Sequence, residues 1–469
     1  MKLRFLFAAF LIQASLISQT NNYYFGNLHS HTGLSDGNKD SSTSGVSKPA
    51  GSYAYAKLSQ NFNFLGISEH NHYSSNNNPG FQIQSWPIGL SEASAANQEG
   101  TFLTLFGMEW GVSSTYNGHV IIYGFNQLIG WEAGNYDIYN AKTDYDGLFK
   151  KVKNNPNSFC YLAHPGFTDF STAGTSTTAL AYSPYNAAYD SAIVGTPLRS
   201  GLAFSTFTDY SDYPAGNYFS YYKKLLSIGY HLGIGYDHDN HYTNFGRSNG
   251  GRLVVITPTL TTANFFTAMK QMNFYGSDDW NAKVSFNCGS NIMGSILSGS
   301  TNPTFNVIHN DMDGELADTI KIWKGISGNQ QYAQVVSITP QNNTATFSDT
   351  GLNPGIEYYY FAEIKQTDGQ WIVTSPIWYT YSGPVGITEN KNTFEFNYFP
   401  NPVSHKLYVS MADCDVYTVS LIDITGRVVY EKTFNENSIE LNLSEISKGI
   451  YSIKVSNNKT SVIKKLIVE

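Results

Sequence analysis

The chain has 469 residues, of which 41% are apolar and only 14% charged, and its net charge is −8. That supplies a buried core and excludes wholesale disorder, while the lack of a basic face excludes a broad nucleic-acid footprint. An anionic partner must be held by something other than massed lysine and arginine.

The first residues read as an export signal. Lys2 and Arg4 precede a mostly apolar stretch, 5–17, and the small Ser18 comes before a polar segment. The stretch is too short to span a bilayer, so 1–18 is expected to be a cleaved signal peptide. No later run reaches the roughly 18 apolar residues of a membrane helix, so no transmembrane segment is expected and the mature protein should be soluble. Cys160, Cys288 and Cys414 are odd in number and far apart, which gives neither a disulfide framework nor a CxxC metal pair. Each reads as a small buried apolar residue.

Residues 23–282 carry nine of the eleven histidines. Apolar runs at 23–28, 62–67, 101–108, 120–125, 158–163, 231–236 and 253–257 alternate there with helix-like stretches at 50–61, 146–154, 218–228 and 262–272. Such alternation predicts an α/β layer or barrel. From 283 to 382, turn signals such as Asp313-Gly314 and Asn353-Pro354-Gly355 separate short β-patterned runs, which predicts a small all-β sandwich. A linker at 383–393 precedes a second all-β module at 394–469. His309 and His405 are isolated in the two β modules and read as structural or surface residues.

Ligand-type residues fall at the ends of the apolar runs. Run 23–28 leads into His29-Ser30-His31, run 62–67 into Glu69-His70, and run 101–108 into Glu109. Run 158–163 leads into His164-Pro165, and run 231–236 into Asp237-His238-Asp239-Asn240-His241. His119 alone stands at the start of a run. Taken singly, each could be a surface or turn residue. Alternate strand residues share a side, however, so His29 and His31 can face one ion, and Asp239 and His241 repeat the spacing. In a parallel barrel such strand ends converge on one rim. Mixed imidazole and carboxylate donors suit Zn, Mn or Fe.

The ordered set Asn27-Leu28-His29-Ser30-His31-Thr32 with Ser35-Asp36-Gly37, then Ser68-Glu69-His70-Asn71, Gly107-Met108-Glu109, Gly118-His119, Ala163-His164-Pro165 and Asp239-Asn240-His241, resembles the motifs of the PHP (polymerase and histidinol phosphatase) family. The following β domain, ending in 371–378, is similar to the secreted, carbaryl hydrolase-like branch. The resemblance implies a distorted (β/α)7 barrel with up to three divalent ions. It implies that His29, His31, Glu109 and Asp239 hold one ion, and that Glu109 bridges to a second with His119 and His164. Asp36, His70 and His241 would hold the third. Glu69 stands where the family usually has Asp and is expected to orient an imidazole. His72, Asp237 and His238 lie beyond the matched positions and read as polar loop residues.

Three divalent ions against three carboxylates would leave about two net positive charges after a bridging hydroxide. Such a centre attracts an oxyanion without basic side chains. The expected function is a secreted metal-dependent phosphoesterase using metal-hydroxide attack, with Glu109, Glu69 and Arg252 as catalytic candidates. Arg247 and Arg252 could fork onto a phosphate or pair with surface carboxylates. A carbamate, ester or amide hydrolase and a non-catalytic metal-holding surface protein stand as alternatives. No GxSxG elbow competes. The stretch 166–217 is expected to cover the rim.

In the last module, Phe399-Pro400-Asn401-Pro402, Asp423-Ile424-Thr425-Gly426-Arg427 and Lys448-Gly449-Ile450-Tyr451 resemble a type A sorting domain of type IX secretion. The resemblance implies export to the cell surface or beyond, with the type IX machinery as partner.

Overall fold

The structure is a computed structural model and describes residues 21–73, 81–112, 114–383, 394–412, 415–458 and 460–469. The expected signal peptide, Cys414 and nearly all of the expected linker lie outside the described residues. The chain divides into two compact units, Met1–Pro384 and Val385–Glu469.

The first unit is built on strands β1 (Asn22–Asn27), β2 (Phe64–His70), β3 (Leu103–Trp110), β4 (His119–Tyr123), β5 (Phe159–Ala163), β6 (Ile193–Ser200), β7 (Gly233–Asp237), β8 (Arg252–Thr257) and β9 (Phe274–Ser277). They form one sheet in the order β9-β8-β1-β2-β3-β4-β5-β6-β7. It curls until β7 lies against β8 and β9. The ends of β1 and β7 are joined by a bridge between Ser30 and Asn240. Strands buried on both faces explain why the runs read as continuously apolar rather than alternating.

The expected (β/α)7 barrel is not what this sequence forms. A parallel barrel pairs every strand with a parallel neighbour through a helical crossover. Here β3 and β4, β4 and β5, β8 and β1, and β8 and β9 are antiparallel. Strands account for 39% and helices for 14%, too little helix to cover such a barrel. The ladder also runs on: Tyr275 of β9 pairs with Thr374 of the strand Trp371–Thr374. The second β module is therefore continuous with the first sheet.

Helices cover the outer face where their sequences allow it. Tyr145–Asn154 starts on Asp144, whose side chain accepts from Gly147 N at 2.8 Å, and it buries Leu148, Phe149 and Val152. Trp86–Ala96 was not foreseen from the sequence; it starts with Pro87 near its N-terminus and buries Trp86 and Ala93.

In the second β module, Lys283–Cys288, Thr304–Asn310 and Thr344–Ser348 pair in a small sheet. The strands Ala317–Ile326, Glu357–Gln366 and Ile377–Tyr381 extend the large one. Phe286, Phe305, Ile320, Tyr360 and Ile364 form a core with Val254 and Tyr275. Free, buried Cys160 and Cys288 act as small apolar residues. The second unit has a three-stranded and a four-stranded sheet around Phe396, Leu407, Val419, Leu441, Ile453 and Leu466.

His231 ties the sheet to this module. Its Nδ1 lies 3.0 Å from Asp190 Oδ2 and its Nε2 3.2 Å from Glu357 Oε1. Burial opposes its charge, but the two carboxylates raise its pKa from 6.5 to about 9. The stability this contributes is complete below pH 6.5 and is lost as pH rises through about 9. After discounting for partial exposure, about 1 kcal/mol is at stake. Thermal unfolding of His231→Asn should lose this alkaline slope; an unchanged slope would contradict the assignment.

Candidate metal centre

Nine side chains from the ends of six strands meet at one rim of the curled sheet. Glu109, fully buried in β3, lies at the middle. Its Oε1 is 3.2 Å from His29 Nε2, 2.7 Å from His119 Nδ1 and 3.2 Å from His164 Nε2. Its Oε2 is 3.3 Å from His31 Nε2 and 3.1 Å from His70 Nδ1. Asp239 Oδ1 approaches His29 Nε2 at 3.1 Å, His31 Nε2 at 3.2 Å and His241 Nδ1 at 3.6 Å. Asp36 Oδ1 lies 3.6 Å from His70 Nε2 and 3.3 Å from His241 Nε2.

The topology explains His119. Strand β4 runs antiparallel to β3 and β5, so its first residue lies at the rim where theirs end. His164 and Asp239 adopt positive φ, 26° and 53°, conformations that non-glycine residues rarely hold without a constraint.

The donors fit divalent ions. Within 4.8 Å, one donor atom each comes from His29, His31, Glu109 and Asp239; from His31, Asp36, His70 and His241; and from His70, Glu109 and His119. His164 reaches the same Glu109 oxygen. Buried His29 Nε2, Asp36 Oδ1, His70 Nδ1 and Glu109 Oε2 make close ion-pair contacts within the cluster, and buried His31 Nδ1 has no hydrogen-bond partner among the described residues. A cluster of buried ligand atoms is costly unless a cation completes it. Burial opposes a charge on His31, yet Asp239 and Glu109 raise its pKa to about 10. Burial likewise opposes a charge on Glu109, but His119, His29 and His70 hold its pKa well below the ordinary range.

The surrounding residues differ from the sequence reading. Asp237 is not a mere loop polar: its Oδ2 lies 3.4 Å from His29 Nδ1 and so aims Nε2 at the cluster. An acid two residues before a ligand carboxylate was its only signal. Glu69 does not orient an imidazole. Fully buried, it accepts from Thr32 N at 3.1 Å and from the Thr32 and Ser35 hydroxyls, fixing the loop that carries Asp36. Arg252 is fully buried and donates to the backbone carbonyls of Gln60, Asn61, Asn249 and Gly251, which makes it structural. Arg247 lies against Tyr55, with Nη1 3.3 Å from its hydroxyl. Among the described residues, neither arginine contacts the cluster. His238 turns away, its Nε2 2.7 Å from Gly251 O. His72 stacks on Trp131 and lies 5.7 Å from the His70 ring.

The stretch 166–217 supplies one further feature of the rim. Phe204 is 61% exposed, its ring 4.8 Å from the His241 ring, with Lys39 Nζ 5.5 Å above it. Its backbone is fixed: Ala203 O accepts from His241 N at 3.0 Å, and Ser205 O accepts from Asn244 Nδ2 at 2.7 Å. Lys39 also lies 3.5 Å from Asp36 Oδ2.

Residues 397–469 match the secretion system C-terminal sorting domain. The protein is therefore secreted or held at the cell surface, and the type IX machinery that reads this domain is its partner. No helix of the described residues is long and apolar enough to cross a membrane. The chain is similar to ulvan lyase NLR42 of Nonlabens ulvanivorans, at 26% identity over 186 residues, 39% of this chain and 32% of the relative. It is also similar to an endo-acting ulvan lyase of Formosa agariphila, at 32% identity over 73 residues, 15% of this chain and 14% of the relative. The second span equals the sorting domain in length; the first is longer. The chain thus spans a third or less of either relative. A crystal structure of chicken CNTN1 FN1–FN3 domains aligns with 37% of this chain and 62% of its own, at 13% identity and a TM-score of 0.15. Both curated relatives are named as lyases, which overturns the expected phosphoesterase and its alternatives.

Proposed function

We propose that the protein is an exported lyase that cuts an anionic polysaccharide by β-elimination at a centre of up to three divalent ions, Zn, Mn or Fe. The observation that carries this reading is the convergence of six imidazoles and three carboxylates on one rim. The lyase name of the relative matched over 186 residues supports the reaction class, and the sorting domain supports the location of the substrate. The ordered ligand motifs, which resemble those of the PHP family, support the cofactor.

Bound ions would supply positive charge against a sugar carboxylate, which would acidify the carbon-bound proton beside it. His29, His31, Asp36, His70, Glu109, His119, His164, Asp239 and His241 would hold them, with Asp237 orienting His29. His72, stacked on Trp131 with its ring 5.7 Å from that of His70 and outside the ligand groups, is the imidazole that takes this proton. As that proton leaves carbon, a carbon–carbon double bond forms and the glycosidic C–O bond breaks. The leaving oxygen keeps the electron pair and takes a proton from water.

Phe204 offers its exposed face to a sugar ring, and Lys39 above it meets an anionic substituent. Phe204→Ala should raise KM about fivefold with kcat little changed; a loss confined to kcat would remove the platform role. The reading itself is tested by incubating the full chain with acidic polysaccharides. Ultraviolet absorbance of an unsaturated sugar should rise with each new chain end. New ends without that absorbance, or no depolymerisation, would overturn it.

A further inference from the structure

Unlike Arg247 and Arg252, Lys39 reaches the histidine cluster, and it does so at one end. Its Nζ lies 3.5 Å from Asp36 Oδ2, while Asp36 Oδ1 faces His70 and His241. The Lys39 backbone N donates to His241 O at 3.0 Å. The ammonium also lies over Phe204, whose ring packs against that of His241.

The backbone here is fixed and the side chain is not. A Cβ at Gly37 would lie 2.2 Å from the His31 carbonyl. Asn38 is buried; its Oδ1 accepts from Gly33 N at 3.1 Å and its Nδ2 donates to Thr243 Oγ1 at 3.1 Å. The Lys39 side chain is 33% exposed, so its ammonium can swing between Asp36 and the open face of Phe204 while residues 36–38 stay in place. An ammonium paired with Asp36 and a divalent ion on the same carboxylate repel each other. At the effective dielectric of a partly exposed site this weakens the ion by about tenfold.

We propose that Lys39 is a charge switch on the third ion, the one that Asp36, His70 and His241 would hold. Paired with Asp36, it keeps that ion weakly bound. An anionic group, sulfate or carboxylate, that draws the ammonium toward Phe204 frees the carboxylate, and the ion tightens. By linkage, the ion tightens the anion by the same factor. The switch rests on the metal reading of the nine ligands and is independent of the reaction class.

The test is a titration of the chelated full chain with Mn²⁺ and, separately, with Zn²⁺. Free Mn²⁺ is read by electron paramagnetic resonance and free Zn²⁺ by a chromophoric chelator. The parent should bind two equivalents tightly and a third about tenfold more weakly. In Lys39→Met the third should bind about tenfold more tightly than in the parent. Inorganic sulfate should tighten the third ion about fivefold in the parent and have little effect in Lys39→Met. Lys39→Gln, which also removes the charge, should reproduce both results. Three equal equivalents in the parent, a third ion no tighter in either variant, or an equal sulfate effect with and without Lys39 would overturn the switch alone. Binding of neither ion to the parent, or binding unchanged in His29→Ala, would remove the metal reading and the switch with it.

Discussion

Replacing Glu109 by Gln should abolish activity, lowering turnover by about 10³-fold, and strip bound metal. Its carboxylate is the one group that five imidazoles approach, at 2.7–3.3 Å. The amide keeps the shape and loses the negative charge, so ions that share this oxygen pair lose their common ligand. The fold should persist, because the cores rest on apolar residues such as Leu65, Met108, Leu162 and Leu253. Elemental analysis and circular dichroism of the variant separate the two outcomes. A folded Glu109→Gln variant with full metal content would show that this carboxylate is not the shared ligand.

His72→Ala should lower kcat by about 100-fold while leaving metal content and KM close to the parent. The ring lies beside His70 yet outside the groups of donors that meet within 4.8 Å. Its stacking on Trp131 holds it in place. A metal ligand would cost occupancy when removed, and a merely structural ring would cost stability. A proton acceptor costs turnover alone. Equal loss of metal and activity would return His72 to the ligand set.

Much of the site could be read in the sequence because its residues mark strand ends, and apolar runs show where strands end. His29, His31, His70, His164, Asp239 and His241 follow or close such runs, and the structure brings them together. The architecture was harder to read. Run boundaries do not reveal direction, and a parallel barrel was assumed, although His119 at the start of its run pointed to a reversed strand. Strands β6 and β9 were missed because Pro197 and Gly276 interrupt their apolar pattern. The orienting role expected of Glu69 falls to Asp237: strand alternation puts Glu69 on the side opposite His70, where Thr32 and Ser35 hold it, and Asp237 reaches His29 Nδ1 at 3.4 Å. Phe204 stands in an irregular loop whose place at the rim depends on hydrogen bonds from His241 and Asn244, which no local pattern encodes. Arg252 looked available beside glycines, yet it is spent on backbone carbonyls.

The decisive measurement is the transition-metal content of the full chain after chelation and reloading with Zn, Mn or Fe. About three equivalents should bind the parent, falling by at least one in His29→Ala, with depolymerisation lost on chelation and regained on reloading. A parent that binds none of these ions, or binds them equally with and without His29, would contradict the account.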